Sequence, residues 1–141
     1  MMRHAFTTCL GGIVLLVAKS VLAEPIGAYD DKVLRCVEDH GSQVSIGQCI
    51  AGVLEESERD LAEAYNRAMA EAQSWSAVAG VNDPDFTTLL RQTQEAWQTY
   101  TEQHCALVAA FWAGGSGQGN SVSSCHIDAN WRRMRALEEL G

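Results

Sequence analysis

The chain has 141 residues, 47% of them hydrophobic and 20% charged, which is enough for one globular domain and too little for a second core. Ten basic residues against eighteen acidic ones give a formal net charge of −8. That balance argues against nucleic acid and anionic membrane surfaces, whose phosphates call for Lys and Arg, and it permits electrostatic steering toward a basic protein.

The first element stands apart from the fold. Arg3 and His4 precede an apolar run from Ala5 to Val17, and Val21, Leu22 and Ala23 close the segment, the layout of a secretory signal peptide cleaved after Ala23. An uncleaved anchor needs ~20 apolar residues, whereas this run is shorter and is interrupted by Lys19. A lipoprotein reading fails because Cys9 lies early in the run, behind Phe6, Thr7 and Thr8, instead of closing it behind small residues. We therefore expect a signal over 1–23 and a single domain over 24–141, periplasmic or secreted, with no membrane contact after cleavage. Loss of Arg3 and Lys19 leaves eight basic residues against eighteen acidic ones, a net charge of about −10.

From Glu24 to Ser45 no period is sustained, and Pro25, Gly27 and Gly41 break any short helix that Asp31 to Val37 begins, so this stretch reads as an arm tied down at Cys36. A long helix is expected to start at Ser45, which with Gln48 fits a capping box. Its apolar stripe is Ile46, Ile50, Val53, Leu54, Leu61, Tyr65, Met69 and Ala72. Glu55, Glu56, Glu58, Asp60 and Glu63 make the other face acidic, with Arg59 and Arg67 four residues after Glu55 and Glu63. The helix should fade near Trp75. Residues 79–84 carry loop chemistry, ending with Asp83 as cap and Pro84 as the opening of a second helix.

The second helix presents Phe86, Leu89, Leu90, Thr93, Trp97, Tyr100, His104, Leu107, Val108 and Phe111 on one side, about seven turns of stripe. It ends at Gly114. The run from Gly114 to Ser121 is too rich in glycine to hold a helix and reads as a flexible loop able to enter a cleft. A third helix follows from about Ser124 to Leu140, with Ile127, Trp131, Met134, Leu137 and Leu140 facing inward and Arg132, Arg133 and Arg135 placed late enough to favour its dipole. The fold class expected is all-α: a three-helix antiparallel bundle with an N-terminal arm, stapled by two disulfides. The first two helices, each ~40 Å long, would bury one another's stripes, and the third would fill the groove they leave.

Cys36, Cys49, Cys105 and Cys125 remain after cleavage, an even number behind a signal, which reads as two disulfides. His104 beside Cys105 and His126 beside Cys125 raise zinc as the competing use, but the paired spacing of a zinc knuckle is missing and no metal is expected. The helix order brings Cys49, Cys105 and Cys125 to one end of the bundle. Proximity along the chain favours Cys36 with Cys49 and Cys105 with Cys125, each loop worth ~3 kcal/mol in the chain-entropy model. Crossed pairings stay open.

Candidate chemistry is sparse. Trp97 and Tyr100, one turn apart on an apolar stripe, read as core and not as a sugar platform, and His104 reads as a hydrogen-bonded interior or rim residue. The glycine run contains no Lys and lacks the spacing of a phosphate cradle. Glu55 and Glu56 are neighbours on a solvated helix, without the contrasting environments that separate an acid from a base, and no nucleophile stands beside a base. We expect no catalytic residue, no cofactor and no enzyme activity.

Gln94, Ala96, Trp97, Tyr100, Glu102 and Cys105, followed by Gly114, Gly115, Ser116, Cys125 and Arg133, form a pattern that resembles the LprI-like lysozyme inhibitor family, from Cys36 to Leu140. Members are exported or lipid-anchored helical domains. They have a cysteine before and at the start of the first helix, a Gln-x-x-Trp-x-x-aromatic run ending in cysteine, a Gly-Gly-Ser loop and a last cysteine. This chain departs at Thr101, where arginine is usual, and at Glu102, where aspartate is common, while Arg133 keeps the arginine of the last helix. The resemblance implies a family core of Gln94, Trp97, Tyr100 and Arg133. It also implies a protein partner, a lysozyme-type muramidase whose cleft is occluded, with Glu55, Glu56, Gly114, Gly115 and Ser116 as candidate contacts. Basic animal lysozymes complement the acidic surface. The alternative is a structural, accessory or immunity protein of the cell envelope with no lysozyme target.

Overall fold

In the computed structural model, which describes residues 27–79 and 85–140, the described residues form four helices and no strand. These are α1 (Asp30–Asp39), α2 (Gln43–Ala79), α3 (Phe86–Trp112) and α4 (Gln118–Glu138). The signal expected over 1–23, and the cap and opening expected at Asp83 and Pro84, lie outside the described residues.

Helix α1 corrects the expected arm. Its amphipathic signal is confined to Tyr29, Val33 and Cys36, too short a run to stand out as a period, yet Tyr29 and Cys36 are buried and Val33 packs beside them. Asp30 and Asp31 suit the positive end of the helix dipole, and the Asp30 carboxylate accepts the Gly27 N–H at 2.9 Å. Gly41 lies beyond the helix end and not inside it.

Helix α2 begins two residues before the expected cap. Ser42 is the capping residue: its hydroxyl accepts the Ser45 N–H at 3.1 Å, and the Ser45 hydroxyl accepts the Ser42 N–H at 3.3 Å, a reciprocal pair with Ser45 at the third helical position. At the start of α3 the cap is Asp85, whose carboxylate accepts the N–H of Thr87 and the hydroxyls of Thr87 and Thr88. Those bonds, the Thr88 hydroxyl first, hold the Asp85 pKa below its ordinary value of 3.8.

The principal packing is α2 on α4, not α2 on α3 as the stripes suggested. The two run parallel. Asn120 near the start of α4 reaches Gln43 at the start of α2 (3.0 Å), Asn130 reaches Ser57 midway (2.9 Å), and Leu137 joins Leu61, Ala64 and Ala68 in one cluster. On α2 the buried line is Ile46, Ile50, Val53, Ser57, Leu61, Ala64 and Ala68, in steps of three or four residues. Its small members let α4 approach closely. Helix α3 runs antiparallel to both, and α1 lies antiparallel along the first half of α2, as its disulfide and polar partners there require.

The third expected helix starts earlier than foreseen, at Gln118, so Gln118 to Ser121 are helical and not loop. The expected α3 stripe is largely exposed: Phe86, Leu89, Tyr100, Leu107 and Phe111 face outward, and the buried positions are Leu90, Thr101 and Cys105. Both disulfides form in the pairing that sequence proximity favours, Cys36–Cys49 and Cys105–Cys125, with Cα separations of 5.6 and 5.8 Å.

Two apolar clusters fill the bundle. One gathers Tyr29, Cys36, Ile46, Ile50, Val53 and Ile127, the other Leu61, Ala64, Ala68, Leu90 and Leu137, and Met134 packs against both. Between them lies a buried polar layer in which the Asn130 amide donates to the Ser57 hydroxyl, which in turn donates to the Leu54 carbonyl at 2.8 Å. Ser57→Ala strips the Asn130 amide of its acceptor inside the core and is expected to lower unfolding free energy by ~1–3 kcal/mol. Urea unfolding of Ser57→Ala, Asn130→Ala and the double variant should give a double cost smaller than the sum of the singles; strict additivity would show that the pair carries no coupling.

Candidate functional site

Four chain segments meet at the disulfide end of the bundle: the last turn of α1, the first turn of α2, the last turn of α3 and the α3–α4 turn. Around them is a groove of about 430 Å³ lined by Val33, Val37, Ile46, Trp112, Ser116 and Gly117, among others. Val37, Val44 (71% exposed) and Trp112 (47% exposed), one on each of three of these segments, leave apolar surface open to solvent. Side chains of that size left exposed together mark contact surfaces for other macromolecules.

Where a loop was expected over Gly114 to Ser121, the structure has a hydrogen-bonded turn that leads into α4 at Gln118. Ala113 (φ 44°) and Gly114 (φ 80°) take left-handed backbone conformations that reverse the chain, a geometry glycine accepts freely and alanine does not. The Ala113 N–H then donates to Ala110 (3.2 Å), Gly115 to Trp112 (2.8 Å) and Gln118 to Gly115 (2.9 Å). The Gln118 side chain also donates back to the Ala109 carbonyl at 2.8 Å. A β-carbon at Gly117 would stand 2.9 Å from the Trp112 ring, so glycine is what lets the indole lie across the turn.

Glu38 and Asp39 occupy the last turn of α1, where no basic residue sits and the helix dipole disfavours negative charge. They place two carboxylates beside the apolar tip. Helix α1 is fastened to α2 by the Cys36–Cys49 bridge, by the Lys32–Glu56 ion pair and by the hydrogen bond from the Tyr29 hydroxyl to Asp60.

The structure divides the residues singled out in the sequence. Gly114, Gly115 and Ser116 lie at the tip, exposed beside Trp112. Glu55 is exposed on α2, Glu56 is engaged with Lys32, and no hydrogen bond or ion pair among the described residues joins either to the tip. Gln94 and Arg133 come together: the guanidinium donates to the Gln94 amide oxygen at 2.8 Å and to the Thr93 hydroxyl at 3.1 Å, tying α3 to α4. Burial there lowers the Arg133 pKa. Trp97 is half-buried against the second cluster. Tyr100, expected in the core, is 64% exposed and stacks on His104, with ring centroids 5.6 Å apart. Thr101 is buried, and its hydroxyl has no hydrogen-bond partner among the described residues. Of the two helix ion pairs expected on α2, Glu63–Arg67 sits at 4.0 Å.

Sequence reasoning passed over Val44, Trp112, Glu38 and Asp39. Trp112, two residues before Gly114, was a usable signal, since an aromatic residue at a chain reversal has few neighbours to cover it. Among the described residues no group of three or more His, Cys, Asp or Glu side chains is placed to hold a metal, and no helix is long and apolar enough to cross a membrane.

The fold and site define a small, disulfide-stapled helical domain with exposed apolar side chains both at its clamped end and along α3. More narrowly, the chain belongs to the lysozyme inhibitor LprI family, whose model matches residues 36–137 and so takes in all four cysteines. No curated protein and no solved structure matches it. Membership of an inhibitor family implies a protein partner and no catalytic role, and the two disulfides are consistent with export.

Burial first, and then the hydrogen bond to Asp60, push the Tyr29 hydroxyl well above its ordinary pKa of 10. Because the folded state holds this proton more tightly than the unfolded chain does, the stabilisation is complete below pH ~10 and is lost as pH climbs toward the folded value. Between pH 10 and 12 wild-type stability should therefore fall more steeply than that of Tyr29→Phe. Equal alkaline slopes in denaturant unfolding would show that Tyr29 is not the titrating anchor of α1.

Proposed function

We propose that the oxidised domain, freed of its signal, inhibits a lysozyme-type muramidase by seating its tip in the enzyme's substrate cleft. The observation that carries this reading is the hydrogen-bonded tip, with Trp112 laid across Gly117 and with Val37 and Val44 exposed near the adjoining ends of α1 and α2. A projection that is already ordered loses little conformational entropy on insertion, and a central aromatic anchor is the usual source of affinity in a protein interface. Family membership names the partner class. The acidic surface, with Glu38 and Asp39 at the tip and Glu55 further along α2, would speed encounter with a basic enzyme. Gly114, Gly115 and Ser116 are the proposed backbone contacts.

A cell-wall lysis assay with purified oxidised protein tests the proposal against several lysozymes at low and moderate salt. Inhibition is expected, with association slowing as salt rises. Trp112→Ala and Val44→Asp, both at exposed positions, should each weaken inhibition at least ~tenfold while leaving the helical circular dichroism unchanged. Glu38→Lys combined with Asp39→Lys should slow association more than it speeds dissociation. Absence of both inhibition and binding for every lysozyme tried would sink the proposal and leave the envelope accessory reading in its place.

A further inference from the structure

Helix α3 carries two stripes. One faces α2 and α4 and comprises Leu90, Gln94, Trp97, Thr101 and Cys105. The other looks outward along the whole helix through Phe86, Leu89, Ala96, Tyr100, Leu107 and Phe111, every one of them exposed. At 100° per residue these positions share one side with Gln92, Thr93, Thr99, Gln103, His104 and Ala110. The three carboxylate and guanidinium side chains of α3, on Arg91, Glu95 and Glu102, all fall outside that side. Of the α4 charges beside this side, Asp128 and Arg132 are ion-paired with each other at 3.0 Å, and the Arg133 guanidinium is held on Gln94 and Thr93.

From this geometry we infer that a second copy of the chain docks on the outer stripe of α3, with the two α3 helices antiparallel across a two-fold axis. Three observations select a second copy as the occupant. First, the stripe is nearly the same read in either direction. Centred at the level of Gln98, a two-fold places Leu89 opposite Leu107 of the other copy and Tyr100 opposite the small Ala96, with Phe86 within one residue of facing Phe111, which is the self-complementarity an isologous interface demands. Second, the domain is strongly acidic, so two copies repel wherever charged faces meet, and this side of α3 brings no carboxylate or guanidinium of its own to the contact. Third, the area suffices. Phe111 is 81% exposed, Tyr100 64%, Leu107 55%, Phe86 45% and Leu89 40%. At ~150–250 Å² for a whole large aromatic side chain, those five expose on the order of 500 Å² of apolar surface per copy. With Ala96, Thr99 and Gln103 between them, the patch approaches the ~800 Å² per partner of a standard interface.

The dimer uses the side of α3 and leaves Trp112, Val44 and the glycine turn of each tip outside the contact, so it stands or falls separately from the lysozyme reading. Sedimentation equilibrium of the oxidised protein is expected to show dimers. Leu89→Lys and Leu107→Glu, each at an exposed position that the fold tolerates, should each raise the dimer dissociation constant at least ~tenfold, with unchanged circular dichroism. The double variant Leu89→Lys/Leu107→Glu should recover dimerisation, because the antiparallel register sets each new lysine against a new glutamate of the other copy. In a parallel register lysine would face lysine and nothing would be recovered. The inference is overturned by a wild-type monomer at about 100 μM, by single variants that dimerise like wild type, or by a double variant that stays monomeric. A monomeric Leu107→Glu protein that still inhibits lysozyme would support the separation of side and tip; loss of inhibition on monomerisation would overturn it.

Discussion

Asn130 reaches Ser57 through the middle of a largely apolar seam, and the placement of both exposed apolar surfaces, the tip and the outer side of α3, follows from that contact. A buried polar pair adds little to stability when it is made, but it is expensive to leave unmade. Sliding α4 by one turn along α2 would strand the Asn130 amide against apolar side chains, so the pair fixes the register of two long parallel helices that Ile and Leu contacts alone would hold loosely. With the register set, Asn120 arrives beside Gln43, the start of α4 reaches the tip, and Cys125 stands where Cys105 can meet it. Helix α3 then hangs from α4.

The two ends of the bundle are stabilised by different means. At the tip, covalent bridges and a hydrogen-bonded turn hold segments that bury few large side chains of their own. The far half relies on Leu61, Leu90 and Leu137 with small alanines between them. Such an arrangement suits a surface that must remain apolar and exposed, because the residues that contact a partner cannot also serve as core. The bridges take over the task that burial of Val37, Val44 and Trp112 would otherwise have performed.

Much of the helix content and both disulfides were legible in the sequence because strong periodicity and cysteine proximity speak locally. The losses have physical causes. Helix α1 was missed because two turns anchored by a single tyrosine and a cysteine give no sustained period. The early start of α4 was missed because Gly117 and Gly119 weaken helix propensity, while the tertiary bonds of Gln118 and Asn120 that offset it are invisible in a linear reading. On α2, Ser57, Ala64 and Ala68 were not counted as core, since a scale of hydrophobicity ranks them low although their smallness is what admits α4. Within the candidate site the glycine turn could be read, whereas Val44, Glu38 and Asp39 acquire meaning only when α1 and α2 are folded side by side.

The outer stripe of α3 was legible as a pattern and misread as to its destination. Periodicity reports that a face excludes charge; it does not report whether the face is covered by the same chain or by another. In most helices the richer apolar face turns inward because burying it is the main force holding the helix in place. Here that force is supplemented by other attachments: the Cys105–Cys125 bridge, the Arg133 guanidinium gripping Gln94 and Thr93, and the Gln118 side chain on the Ala109 carbonyl. A helix secured in this way can keep a modest inner face of Leu90, Trp97 and Thr101 and turn Phe86, Leu89, Tyr100, Leu107 and Phe111 to the outside. Cross-linking and polar clamping of α3 thus release its most apolar residues from core duty, and an exposed stripe of that length is retained at a risk of aggregation unless something specific covers it.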